Sequence, residues 1–139
     1  FELHMATFNA DKWYHIVNEH QGRLPLTIWA VPEGTVCKAG DPLIVVENTD
    51  PKCFWLTNYV ETLLVQVWAP TTVATNSYHM KKDLMSALKM TGTVDSWQHR
   101  LHDFGCRGVS SMQSAAMLGC AHLAVGFSGH IWTPETKHI

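Results

Sequence analysis

The chain has 139 residues, 46% of them hydrophobic and 16% charged, with a net charge of −2. That is enough for one domain of ordinary size with a real core, and the composition excludes intrinsic disorder. The near-neutral balance gives no support for a nucleic-acid or polyanion partner. No membrane span is expected either, because the longest apolar stretch, Phe54 to Trp68, is too short and carries Glu61.

Asn9 is placed to cap a first helix in which Trp13, Ile16, Val17 and His20 share a face, and Gly22 ends it. Two β-rich runs follow, Leu24 to Val31 and Pro42 to Asn48, around the turn-formers Pro32, Gly34 and Gly40. From Phe54 to Trp68 the apolar residues fall on almost every side, leaving a narrow polar stripe of Thr57, Asn58, Glu61, Thr62 and Gln66. That pattern predicts a helix buried over most of its surface, with Trp55 and Trp68 packed. Pro70 permits a break or a new first turn. The next helix is expected to turn Val73, Ser77, Met80, Leu84 and Ala87 to one side. Thr91 to Ser96 is expected as a loop and Arg100 to Phe104 as a short strand. Ser110 to Gln113 fits a capping box, opening a helix rich in Ala115, Ala116, Gly119, Cys120 and Ala121. The order is helix, β segment, two helices, strand, helix, and the closing strand–loop–helix unit belongs to α/β architecture.

Cys37, Cys53, Cys106 and Cys120 form no CxxC pair and no Cys/His zinc spacing. Cys120 is expected as a buried thiol, and the thiols as reduced, in a cytoplasmic setting. Residues 1–10 lack a basic start and an apolar core, so no secretory leader is expected there. His15, His20, His79 and His99 are read as surface or loop residues rather than ligands, and His122 as a hydrogen-bonded interior histidine. No metal ligand is assigned.

The stretch RLHDFGCRGVSS, residues 100–111, carries the chemistry. An arginine just ahead of a helix start sits at the end that already carries partial positive charge. An anion reverses the sign of that arrangement, because the Arg107 guanidinium and the helix N–H groups then converge on one negative charge. Gly105 and Gly108 allow a ligand close to the backbone, and Phe104 offers a flat face for a heteroaromatic ring. The competing reading pairs Arg107 with Asp103 and buries Phe104 in the core.

The segments AVPEGTV, VENTDPKCFWLTNYVETLLVQVW, TVATNS and LHDFGCRGVSS, in that order, resemble the nicotinamide phosphoribosyltransferase family of type II phosphoribosyltransferases. The resemblance runs from about Phe8 to Gly129. It implies an α/β-barrel-like catalytic domain with an attached β-rich segment, here residues 1–52 (helix and β-rich segment) and 53–139 (an incomplete portion of the catalytic domain). It also implies a cytoplasmic homodimer with active sites at the interface. The implied reaction has nicotinamide displace diphosphate from phosphoribosyl diphosphate, with Mg²⁺, giving nicotinamide mononucleotide in NAD salvage. Phe104 then matches the aromatic that stacks on the pyridine ring, Arg107 the arginine on the diphosphate side, and His102 a histidine near the tunnel into the pocket.

Departures are visible. His130 and Ile131 stand where the family carries threonine and aspartate, so the carboxylate that favours the amide is missing or displaced to Glu135, and Cys106 replaces an aromatic. A weakened preference for the amide is expected. The partner subunit's tyrosine, the phosphorylatable histidine and the basic loops of the family have no counterpart among these residues, so the segment is expected to turn over negligibly alone. Two rivals are a nicotinate phosphoribosyltransferase and a non-catalytic binding or interaction module. The latter includes a biotinyl- or lipoyl-like hairpin bearing Lys38.

Overall fold

The computed structural model describes residues 10–127 and the backbone of Gly129–His130, and the chain divides into two compact units between Leu64 and Val65. Helix α1 (Ala10–His20) ends where Gln21 and Gly22 both take positive φ, 55° and 77°. The Gly22 N–H then donates to the Ile16 carbonyl at 3.1 Å, closing a Schellman-type end that uses Gln21 as well as the expected glycine. The predicted Asn9 cap lies outside the described residues.

Strands β1 (Leu26–Ala30) and β2 (Ile44–Asn48) pair antiparallel, Leu26 opposite Asn48 and Ala30 opposite Ile44. They are shorter than the sequence runs because Pro25 and Pro42 donate no N–H, and each strand starts after its proline. A short 3₁₀ turn (Pro51–Cys53) leads into helix α2 (Leu56–Val65). The core of this unit is Ile16 from α1 with Cys53, Leu56 and Val60, flanked by Trp13, Leu26, Trp55 and Leu64. Trp13 meets Trp55 and Tyr59 edge-on at 4.9 and 5.0 Å between ring centroids.

The expectation of a helix buried on most sides is corrected here. Only Leu56 and Val60 of α2 are buried, while Tyr59, Leu63 and Val65 are exposed. One layer, α1 with the turn before α2, covers one stripe and no more. Trp55 packs as expected, but Trp68 is exposed. His15 and His20 are also not plain surface residues. Both imidazoles reach Asp50 Oδ2 at 2.8 Å from the far side of the unit's sequence.

In the second unit, helix α3 (Trp68–Thr91) takes Pro70 within its first turn, where the missing N–H has no helical partner to lose. Its covered face is Val73, Ala74, Ser77, Lys81, Leu84, Met85 and Leu88, so Met80 and Ala87, expected inside, are exposed. The predicted loop after α3 contains a 3₁₀ stretch, Val94–His99. The predicted strand shrinks to β3 (His102–Asp103), which pairs in parallel with β4 (Gly129–His130), His102 opposite Gly129. Helix α4 (Met112–Ala124) is the crossover between them, which makes a βαβ unit and a mixed α/β chain.

Small residues let α4 lie close on α3, as expected. Ala115 and Gly119 are buried, two turns and one turn before His122. His122 shares a 2.8 Å hydrogen bond with the buried Ser77 and stacks on Phe127 at 4.9 Å. Cys120, expected inside, is only half-buried, and the fully buried thiol is Cys53. The Lys81 ammonium donates to the Val125 carbonyl at 2.8 Å and lies 4.1 Å over the Trp97 ring, placing a cation at the negative end of α4. No helix among the described residues is long and apolar enough to cross a membrane.

The cap of α4 is Ser111 rather than Ser110. Ser111 is extended at φ −151°, ψ 159°, and its hydroxyl accepts the Ser114 N–H at 3.1 Å. Ser111→Ala is therefore expected to cost about 1 kcal/mol of stability, and Ser110→Ala less than about 0.5. Denaturant unfolding followed by circular dichroism checks the difference, and equal effects would contradict the assignment.

Candidate functional site

After β3 the chain turns through Phe104 into a 3₁₀ turn, Gly105–Gly108, then Val109, Ser110 and the Ser111 cap of α4. Asp103 sets this turn. Its Oδ1 accepts the Gly105 N–H at 2.7 Å, and a Cβ at position 105 would stand 2.9 Å from that oxygen, so any other residue would push the carboxylate aside. Around Gly108 a Cβ would meet nothing within 4 Å, so the backbone there is open to a close approach.

Phe104 and Arg107 are both exposed, the phenylalanine at 54%, and the guanidinium carbon lies 5.4 Å over the ring centroid. Arg107 thus has an aromatic neighbour, a contact worth about 0.5–1 kcal/mol at an exposed site. Among the described residues no carboxylate pairs with it. The competing reading, Arg107 on Asp103 with Phe104 in the core, is not what the coordinates show. His102 is exposed on β3, and among the described residues no contact joins it to the other two. The Met112 and Gln113 N–H groups head α4 beyond the reach of the Ser111 cap, which serves Ser114. The side chain of His130, together with Ile131 and Glu135, lies outside the described residues.

A loop of this build presents, on one strand–helix connection, a flat ring, a cation with five fixed donors and helix N–H groups. It suits a planar ring and an oxyanion held side by side. For a magnesium ion it offers Asp103, whose Oδ1 is already committed to Gly105. The group of metal-capable side chains that comes together among the described residues is elsewhere, in the first unit: His15, His20, Asp50 and Cys53. Nothing in the sequence spacing signals that group, because its members meet only after α1 packs against the turn ahead of α2.

No protein-family model matches the chain. Individual relatives do. It is 47% identical over 128 residues, 91% of the chain, to the nicotinamide phosphoribosyltransferase of Xanthomonas campestris. It is 39% identical over 78% of the chain to the enzyme of that name from Acinetobacter baylyi, and 35% over 79% to that of Mycoplasma pneumoniae. The chain is thus similar to a stretch of several phosphoribosyltransferases. The relatives it matches share the name nicotinamide phosphoribosyltransferase. The chain spans 27% of the length of the Xanthomonas relative and 22% of the Acinetobacter one. An alignment covering 91% of the chain necessarily includes residues 100–111.

Proposed function

We propose that the chain is a segment of an enzyme that transfers phosphoribosyl from phosphoribosyl diphosphate to nicotinamide, giving nicotinamide mononucleotide for NAD synthesis. The observation that carries this reading is the 47% identity across 91% of the chain to a protein of that name. In this reading residues 53–139 belong to an α/β-barrel-like catalytic domain and residues 1–52 to an attached helix and β-rich segment. The strand-end position of His102, Phe104 and Arg107 agrees with barrel enzymes, where chemistry gathers at the C-terminal ends of the strands. The exposed apolar faces of α2 and of the hairpin are consistent with burial in a homodimer or against the rest of a longer chain.

Phe104 stacks on the pyridine ring, Arg107 grips the diphosphate, and His102 stands near the way in. As diphosphate departs, positive charge develops on the ribose and negative charge on the leaving group. The work of this loop is then positioning and charge neutralisation rather than proton transfer. Each ~1.4 kcal/mol taken off the barrier gives tenfold in rate, so a single arginine is enough to matter. Magnesium, which the family resemblance implies, supplies further neutralisation of phosphate charge when bound. The loop offers it no set of carboxylates, so it is expected to arrive held by the substrate's own oxygens and water.

The test places this segment in the Xanthomonas relative in place of its homologous stretch and assays mononucleotide formation. Turnover is expected from that enzyme and none from the 139 residues alone. Phe104→Ala is expected to raise the KM for nicotinamide about tenfold, as loss of an aromatic stack of about 1.4 kcal/mol would, and to leave the KM for phosphoribosyl diphosphate nearly unchanged. A variant that moves both constants together, or neither, would remove Phe104 from the ring site.

A further inference from the structure

Four side chains that the transfer reaction does not use converge in the first unit. His15 and His20 lie on α1, Asp50 caps the 3₁₀ turn before α2, and Cys53 ends that turn. Their donor atoms, two imidazole nitrogens, a carboxylate oxygen and a sulfur, all lie within 4.8 Å of one another. Both Nε2 atoms stand 2.8 Å from the same oxygen, Asp50 Oδ2. The other carboxylate oxygen, Oδ1, accepts the Lys52 N–H at 2.8 Å, which fixes the plane of the carboxylate. Cys53 is fully buried beside Ile16, Leu56 and Val60, whereas the His15 and His20 side chains keep 22% and 30% of their surface in water.

We propose that His15, His20, Asp50 and Cys53 form a zinc site that ties α1 to the turn entering α2. The number and type of donors suit that ion. Zinc takes four ligands drawn from imidazole, thiolate and carboxylate, whereas magnesium and calcium want oxygen alone. The geometry is close to what it needs. With zinc–nitrogen and zinc–oxygen bonds of about 2.0–2.2 Å and a zinc–sulfur bond of about 2.3 Å, tetrahedral donors stand roughly 3.3–3.7 Å apart. The 2.8 Å contacts on Asp50 must open by less than about 1 Å, a rotamer adjustment rather than a backbone shift. The Lys52 N–H is the kind of outer partner that orients a ligating carboxylate. The part-exposed histidine edges give the ion a way in, and the apolar wall behind Cys53 excludes competing water.

Binding exchanges protons for the ion. The Cys53 thiol proton leaves to solvent, and each neutral imidazole gives up its Nε2 hydrogen to water and takes one on Nδ1, so that Nε2 turns its lone pair to the metal. Where two N–H groups now crowd one carboxylate oxygen, a single cation would hold all three. The consequence is structural. The ion crosslinks residues some thirty positions apart in sequence, and it should stabilise the first unit by mass action.

The experiment uses the untagged chain, stripped with a chelator and dialysed against zinc or magnesium, with bound metal measured by mass spectrometry. Cobalt is then substituted for optical spectra. Expected are one zinc per chain, no retained magnesium, and a cobalt spectrum with thiolate-to-metal charge transfer and the intense visible bands of a tetrahedral site. His20→Gln, at the most exposed ligand, should keep the fold by circular dichroism while weakening zinc at least about tenfold, the low end for losing even an outer partner. It should also abolish the zinc-dependent rise in unfolding temperature. Cys53→Ser should remove the charge-transfer band. Absence of stoichiometric zinc, zinc binding unchanged in His20→Gln, or a cobalt spectrum without the thiolate band would each overturn the site. None of these readouts depends on phosphoribosyl transfer, so failure here leaves the proposed function untouched, and the reverse holds too.

Discussion

Under the function proposed above, replacing Arg107 with alanine is expected to lower kcat/KM for phosphoribosyl diphosphate by about 10²–10³ in the assembled enzyme, the range for removing one preorganised donor from a developing oxyanion. The direction follows from where the side chain stands. Its guanidinium is exposed, lies over the Phe104 ring and, among the described residues, is neutralised by no acid, so its charge remains available to a ligand. Arg107→Lys is expected to recover only part of the rate, since an ammonium keeps the charge but loses the planar fork that fits a phosphate. Because Arg107 is a surface residue, alanine should shift stability by less than about 0.5 kcal/mol. Unfolding curves run beside the kinetics separate the roles: a rate lost together with stability would make Arg107 a structural residue. The double variant with Phe104→Ala reports the coupling between ring and cation, which alanine at 107 also removes.

That Phe104 and Arg107 are neighbours was legible because the contact is local. Phe104 and Arg107 are three positions apart, and the turn that brings them together is set by Asp103 and Gly105 within the same string. The helix start was legible to within one residue. Ser110 and Ser111 are chemically equal as caps, and only the extended backbone at 111 aims a hydroxyl at the Ser114 N–H. The face of α3 slipped by a similar margin, Lys81 and Met85 turning inward in place of Met80 and Ala87. A long helix has more than one acceptable stripe until its neighbour is known. Lys81 is covered because its ammonium has the end of α4 and the Trp97 ring to meet, partners that lie far along the chain.

Long-range pairings were not legible at all. His15 and His20 read as surface residues because nothing near them in sequence calls for a histidine. Asp50 gives them their place, and only the packing of α1 against the turn before α2 brings it there. The carboxylate is held well below the usual range by those two imidazole contacts first, and then by the Lys52 N–H. Burial, and after it the neighbouring Asp50 charge, pushes the Cys53 thiol up. Apolar content misled in the opposite sense for α2. Composition says how much surface wants cover, and it cannot say whether the cover comes from this segment.

Leu56→Ala is expected to destabilise the first unit by about 2–5 kcal/mol, the range for emptying a fully buried leucine site. Leu56 has no exposed surface and sits among Ile16, Cys53 and Val60, with Trp13, Trp55, Leu26 and Leu64 around them. Those neighbours belong to different elements, so they cannot all close on the cavity without giving up other contacts. A unit that ends at Leu64 has few such residues, and domains of this size rarely hold more than about 3–5 kcal/mol in reserve. Loss of one leucine should therefore unfold it, releasing the edge-on contacts of Trp13 with Trp55 and Tyr59. Tryptophan emission should shift to the red, and near-ultraviolet dichroism should fall. Leu63→Ala on the same helix is the control: that side chain is 66% exposed, and its loss should cost less than about 0.5 kcal/mol. If the two variants unfold at the same denaturant concentration, Leu56 is not the centre of the core. The packing of α1 on α2, which also brings His15 and His20 to Asp50, would then need to be redrawn.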